Sequence, residues 1–176
     1  MAESFVNSLT RAAGIVTSSS AGAIGIGTNL ITGITTTNVS VGDIVDNANF
    51  IAGTKVTAIG VNSTTVDRDS TNTTAASTQN VKYLGLTTAF TSPSGNKSIL
   101  IGGTFAKNTD SQVNLTVHIY DNSSTTVAAL VSKVPVPNGS SFVISAAGKT
   151  VLESLDAVRD YCDTANALDV NLGILK

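Results

Sequence analysis

The chain contains no tryptophan, only 5% aromatic residues, one cysteine, one histidine and 12% charged residues. That charged share is about half of what an ordinary soluble domain carries. Each scarcity excludes something. A single thiol, Cys162, makes no intrachain disulfide and has no second thiolate with which to hold a metal. No run of Lys or Arg exists: Arg11, Lys55, Arg68 and Lys82 are scattered and the net charge is −2, so there is no basic footprint for nucleic acid. No uninterrupted apolar stretch approaches the ~18 residues of a helical membrane span. Residues Met1 to Thr10 carry Glu3 and lack the basic start and apolar core of a secretory signal. The expectation is a protein folded in cytoplasm, with neither nucleic acid nor membrane as partner.

What remains is Val, Ile, Ala and Leu set among Ser, Thr, Asn and Gly. β-branched residues suit a pleated surface, and Gly, Asn and Ser suit tight turns, so the composition predicts strands joined by short loops. A surface rich in hydroxyls and amides but poor in charge suits a protein that is packed against neighbours.

Patterning divides the chain near Gly85. Residues 1–20 show no clear periodicity and are expected to form an N-terminal arm, with Phe5, Val6 and Leu9 as assembly contacts. Residues 21–85 are expected to form a β-hairpin-rich domain. Its most legible part is a strand from Lys55 to Gly60, a turn at Val61-Asn62-Ser63, and a return over Thr64 to Asp67. The polar run Ser70 to Gln79 reads as a surface excursion or linker.

Residues 86–176 alternate with period 2. Ile99, Ile101, Gly103 and Phe105 share one face of a strand over Lys97 to Lys107. Val113, Leu115, Val117 and Ile119 share the inward face of the next, Gln112 to Asp121, with Asn114, Thr116, His118 and Tyr120 outward. Further strands are expected at Val127 to Val134, Ser141 to Ser145, Thr150 to Leu152, Ala157 to Cys162 and Ala167 to Ile174. One turn of helix is conceivable at Leu152 to Leu155. The fold class is all-β: a C-terminal antiparallel sandwich, jelly-roll or immunoglobulin-like, preceded by the smaller hairpin-rich domain and the arm.

Chemistry is sparse. His118 has no nucleophile motif near it and reads as one exposed histidine in a strand. Asp67-Arg68-Asp69 with Asp43 and Asp46 lacks the glycine and closing glutamate of a calcium loop and reads as a salt bridge around Arg68. Asp156, Asp160 and Asp163 around Arg159 read the same way. Cys162, within an alternating apolar run, reads as a buried inert thiol. Gly25-Ile26-Gly27 and Gly102-Gly103 lack the following helix and Lys-Ser/Thr pair of a phosphate loop. No catalytic residue, cofactor or metal is expected.

Four segments carry a resemblance. They are Val117-His118-Ile119-Tyr120-Asp121, Lys133-Val134-Pro135-Val136-Pro137-Asn138-Gly139, Lys149-Thr150-Val151-Leu152-Glu153, and Thr164-Ala165-Asn166-Ala167-Leu168-Asp169-Val170. Together they resemble a small β domain of virion structural proteins of tailed bacteriophages, especially marine cyanophages. Val41-Gly42-Asp43, Ile51 to Val56 and Val66-Asp67 are similar to a β-hairpin module of phage fibres and tail proteins. One departure is Ser154-Leu155-Asp156, where the pattern has a glycine-aspartate turn. The resemblance implies a non-enzymatic virion protein whose partners are major capsid or tail proteins and sister copies. Capsid decoration or cement is the first expectation; a tail, collar or fibre-attachment protein is the alternative. A receptor- or glycan-binding module using the loops Asn122 to Thr126 and Pro135 to Ser141 is a third.

Overall fold

The computed structural model describes residues 3–144 and 149–176. Met1 and Ala2, at the head of the expected arm, and Ser145, at the end of an expected strand, lie outside the described residues. The described chain is strand and turn without helix, and every strand pairing in it is antiparallel. The conceivable helical turn after Leu152 is instead a tight turn in which Leu155 takes φ +66°.

The chain forms two units, one of residues 1–14 with 87–176 and one of residues 15–86. It begins in the first with β1 (Phe5–Ala13), then enters the second through β2 (Ile15–Ile24). The expected arm is therefore not an arm. Phe5 to Ala13 is a strand of the sandwich, hydrogen-bonded along β15, and the residues after Gly14 are a strand of the other unit. The reason is in the side chains that face inward. Ser8 Oγ donates to the Ala89 carbonyl at 2.6 Å, so a hydroxyl sits where a period-2 reading expects an apolar group.

The second unit comprises β2, β3 (Leu30–Thr32), β4 (Ile44–Asp46), β5 (Val56–Gly60), β6 (Ser63–Val66) and β7 (Ala76–Gly85). Its six strands run in the order β4-β7-β2-β3-β6-β5. The sheet then closes on itself: Ile44 bridges Lys55, and the N–H of Val45 donates to the Thr54 carbonyl at 2.8 Å. Closure leaves few unpaired strand edges. Ile24, Ile31, Ile34, Val45, Val56, Val81 and Tyr83 fill the interior. Tyr83 and Thr64 satisfy each other there by a hydroxyl–hydroxyl bond of 2.9 Å. The β5–β6 hairpin turns at Val61-Asn62, with Asn62 at φ +50°. The polar run after Ser70 is not a linker: its second half is β7, which pairs with both β2 and β4. Ser70, buried, donates to the Gly25 carbonyl and accepts from the Thr28 N–H.

The first unit resumes with β8 (Thr87–Thr91), β9 (Ser98–Lys107), β10 (Val113–Asp121), β11 (Thr126–Val136), β12 (Ser141–Ile144), β13 (Thr150–Leu152), β14 (Ala157–Cys162) and β15 (Leu168–Leu175). One sheet has five strands, in the order β1-β15-β9-β12 with β13 also on β9. The other has four, β11-β10-β14-β8. Leu100, Phe105, Val113, Leu115, Val117, Leu168, Val170 and Leu172 form the shared core, with Val6, Ile119 and Phe142 packed against it. At roughly 25 cal/mol per Å² of apolar surface, each such side chain contributes about 1.5–3 kcal/mol.

Candidate interaction surface

Alternation sets which side chains look outward from the five-stranded sheet. On β1, Phe5 and Leu9 face solvent, 74% and 72% exposed, whereas Val6 is partly buried against the core. Of the three residues expected to make assembly contacts, the structure places Phe5 and Leu9 on one outer face and turns Val6 away from it.

Register joins these residues to others. Phe5, Leu175, Ile99 and Val151 are successive cross-strand partners, forming an apolar row across the whole sheet. Asn7, Gly173 and Gly102 form the next row, and the glycine pair leaves the sheet bare there. Leu9, Asn171, Thr104 and Val143 form the third. Val143 and Val151 are both more than half exposed. A face carrying this much apolar side chain, with no charge in these rows, is what a docking surface looks like. Period-2 reading assigns Val143 and Val151 to strands without showing that they face outward, and its last strand stops at Ile174, one residue short of Leu175.

The edges differ in how open they are. β11 is blunted: two register shifts interrupt its pairing with β10, Lys133 takes φ +52°, and Pro135 removes a donor. Bulges, lysine and proline are the usual protections of an exposed edge. β1 has none of these over Phe5 to Thr10, where its pairing with β15 is regular until a shift between Thr10 and Ala13. Ser4 and Lys176 exchange both backbone hydrogen bonds, at 3.0 and 2.9 Å. In an antiparallel ladder such pairs recur at every second residue. The N–H and C=O groups of Phe5, Asn7 and Leu9 therefore point away from β15, toward the open side.

The residues weighed for chemistry are placed elsewhere. His118 is not exposed but buried, its ring 5.6 Å from that of Tyr161 on the outer side of the four-stranded sheet. Among the described residues Arg68 makes no carboxylate salt bridge; its guanidinium reaches the Ala52 carbonyl, while Asp67 and Asp43 accept from the N–H groups of Lys55 and Ser40. Arg159 likewise is not the centre of an acidic group: it lies over the Tyr120 ring at 3.9 Å. Asp156 accepts from the Asn122 and Glu153 N–H groups, and Asp163 binds Asn114 through backbone and side chain. Asp160 points into the core. Cys162 is buried and its thiol is pushed up to about 11 by that burial. Among the described residues no group of three or more His, Cys, Asp or Glu is gathered as a metal site would require. The loop after Asp121 is folded onto itself: hydroxyl and N–H groups of Ser123 and Ser124 bond the Asp121 carboxylate and hold it down to about 2. Those polar groups are already engaged, which weighs against that loop as a sugar site.

No protein-family model matches the chain, and no curated protein sequence or solved structure was found similar to it.

Proposed function

We propose that the chain is a structural protein of a tailed-phage particle, present in many copies as a capsid decoration or comparable surface protein. The observation that carries this reading is the outer face of the five-stranded sheet, where exposed Phe5, Leu9, Val143 and Val151 lie beside an unprotected edge strand. A face of this kind is costly to leave in water and is covered when copies pack on a shell. The low charge of the whole chain and the resemblance of its second half to virion proteins point the same way. In this reading the sandwich is the rigid body. Its partners are the shell proteins and sister copies, and symmetry multiplies weak contacts by avidity. The protein carries no chemistry of its own in this role.

The test is a count on purified particles by quantitative mass spectrometry. The expected result is a copy number comparable with that of the major shell protein. A handful of copies would move the chain to the tail, collar or fibre attachment. Complete absence from the particle would overturn the reading.

A further inference from the structure

We propose that β1 pairs antiparallel with β1 of a second copy, about a two-fold axis at Asn7, so that two five-stranded sheets become one continuous sheet. This deepens the multi-copy reading above and rests on it for its biological use, but it is measured in solution without any particle.

The argument begins with the backbone. The N–H and C=O groups of Phe5, Asn7 and Leu9 face the open side. A strand added there must offer the same spacing of donors and acceptors, and an antiparallel copy of the same segment does so. With Asn7 opposite Asn7, Phe5 lies opposite Leu9 of the second copy and Leu9 opposite Phe5. Every outward donor then meets an outward acceptor.

Side chains fix the register. Phe5, Asn7 and Leu9 share the outer face, so the pairing sets each exposed aromatic ring against an exposed leucine. The same register puts Glu3 opposite Arg11 of the second copy, and Arg11 opposite Glu3. Both are exposed, and neither has an ion-pair partner among the described residues. Opposite charges directly across an antiparallel pair attract, and like charges there repel. Sliding the pairing by one two-residue step destroys the match. In one direction Glu3 meets Leu9 and Phe5 meets Asn7; in the other Phe5 meets Arg11. The segment is thus self-complementary about Asn7, in backbone and apolar groups over Phe5 to Leu9 and in charge through Glu3 and Arg11 at its two ends, which is the requirement for an isologous contact. The apolar row through Phe5 and Leu175 would run on into the second copy.

Sedimentation equilibrium of the full chain from roughly 1 μM to 1 mM tests this. A dimer is expected. Glu3→Arg or Arg11→Glu should each weaken it by roughly tenfold, because each places two like-charge pairs across the two-fold. The double variant E3R/R11E should return to within about threefold of the parent, since both pairs are restored with sign reversed. Asn7→Cys should give a disulfide-linked dimer on mild oxidation, while Ser8→Cys, whose side chain faces Ala89 inside, should not. Thermal melts at concentrations too low for dimerisation confirm that the variants fold: both residues are exposed, and reversing their charges should leave the monomer's melt unchanged. A monomer at all concentrations overturns the proposal. So does a dimer that ignores the single reversals, or a double variant as weak as the singles. A register-specific dimer from a chain absent from particles would keep the pairing and sink the virion reading.

Discussion

Asp160 is the residue whose environment most contradicts its chemistry. It sits on β14 between core residues Val158 and Cys162, opposite Val117, with no exposed surface. Neither carboxyl oxygen has a hydrogen-bond partner among the described residues, and burial raises its pKa from 3.8 to about 7. The folded state therefore favours the neutral acid. Its stability relative to the unfolded chain is fully present below the unfolded value and is lost as pH rises through the folded one. Between about pH 4 and pH 7 the loss approaches roughly 4 kcal/mol. Melting temperature should fall from pH 5 to pH 8 in the parent and stay much flatter in Asp160→Asn. A parent profile as flat as the variant's would show that the carboxyl is not desolvated. Sequence alternation does place Asp160 in phase with Val158 and Cys162. The nearby Asp156, Arg159 and Asp163 nevertheless suggest a salt bridge around Arg159, since a carboxylate without a partner is seldom buried.

At the scale of strands, legibility followed polarity. β10 and β15 alternate apolar-in and polar-out, and their inward residues are the core. β9 does not keep the single face expected for Ile99, Ile101, Gly103 and Phe105: its pairing with β15 shifts between Gly173 and Ile174, so Leu100 joins Phe105 in the core while Ile99 lies in the outer row with Phe5 and Leu175. β1 inverts that rule, with Phe5 and Leu9 outward and Ser8 and Thr10 inward, each hydroxyl donating to the Ala89 carbonyl. No single-face count recognises such a strand. β7 is hidden differently: it opens with polar residues, and its buried apolar residues Val81, Tyr83 and Leu84 all fall in its second half. Deleting residues 1–13 should consequently destabilise the sandwich by at least about 3 kcal/mol, through lost pairing with β15 and the uncovered core beneath Val6 and Ala13. Calorimetry checks it, with light scattering as a second readout, since a bared β15 edge invites aggregation. By contrast, Phe5→Ser with Leu9→Ser should shift the stability of the monomer by no more than about 0.5 kcal/mol each, both side chains being exposed there. A truncated protein that melts with the parent would return β1 to the status of a loose terminus.

At the scale of the molecule, residues 15–86 are an insertion between β1 and β8 of the sandwich. The places where the chain leaves and returns are adjacent: the Gly14 N–H donates to Thr87 Oγ1 at 3.3 Å. Gly14 is fixed there. Its φ is +79°, and a Cβ would stand 2.8 Å from the Thr164 carbonyl. A short glycine-serine turn joining Gly14 to Thr87 should therefore leave a sandwich that folds cooperatively without the barrel, and residues 15–86 should fold alone. Separate melts of the two pieces decide it; a sandwich that unfolds once the insertion is removed would show that the halves are one cooperative unit. The division near Gly85 was visible as a change of composition. The first crossing at Gly14 was not, because nothing in the sequence shows that two neighbouring strands belong to different cores.

That shared doorway also orders events in time. Before folding, bringing residue 14 to residue 87 means closing a loop of about 70 residues, at a cost of roughly 4 kcal/mol in chain entropy. Once the barrel has formed, the pairing of Ile15 with Gly85 has already done it. The barrel is thus the natural early event, and β1, whose partner β15 lies at the far end of the sequence, the natural late one. While β1 is still away, the flank of β15 stands vacant, and at high concentration during synthesis a neighbour's β1 can reach it first. Crowded refolding would then yield exchanged, interlocked pairs, whereas dilute refolding would give chains that each close on themselves.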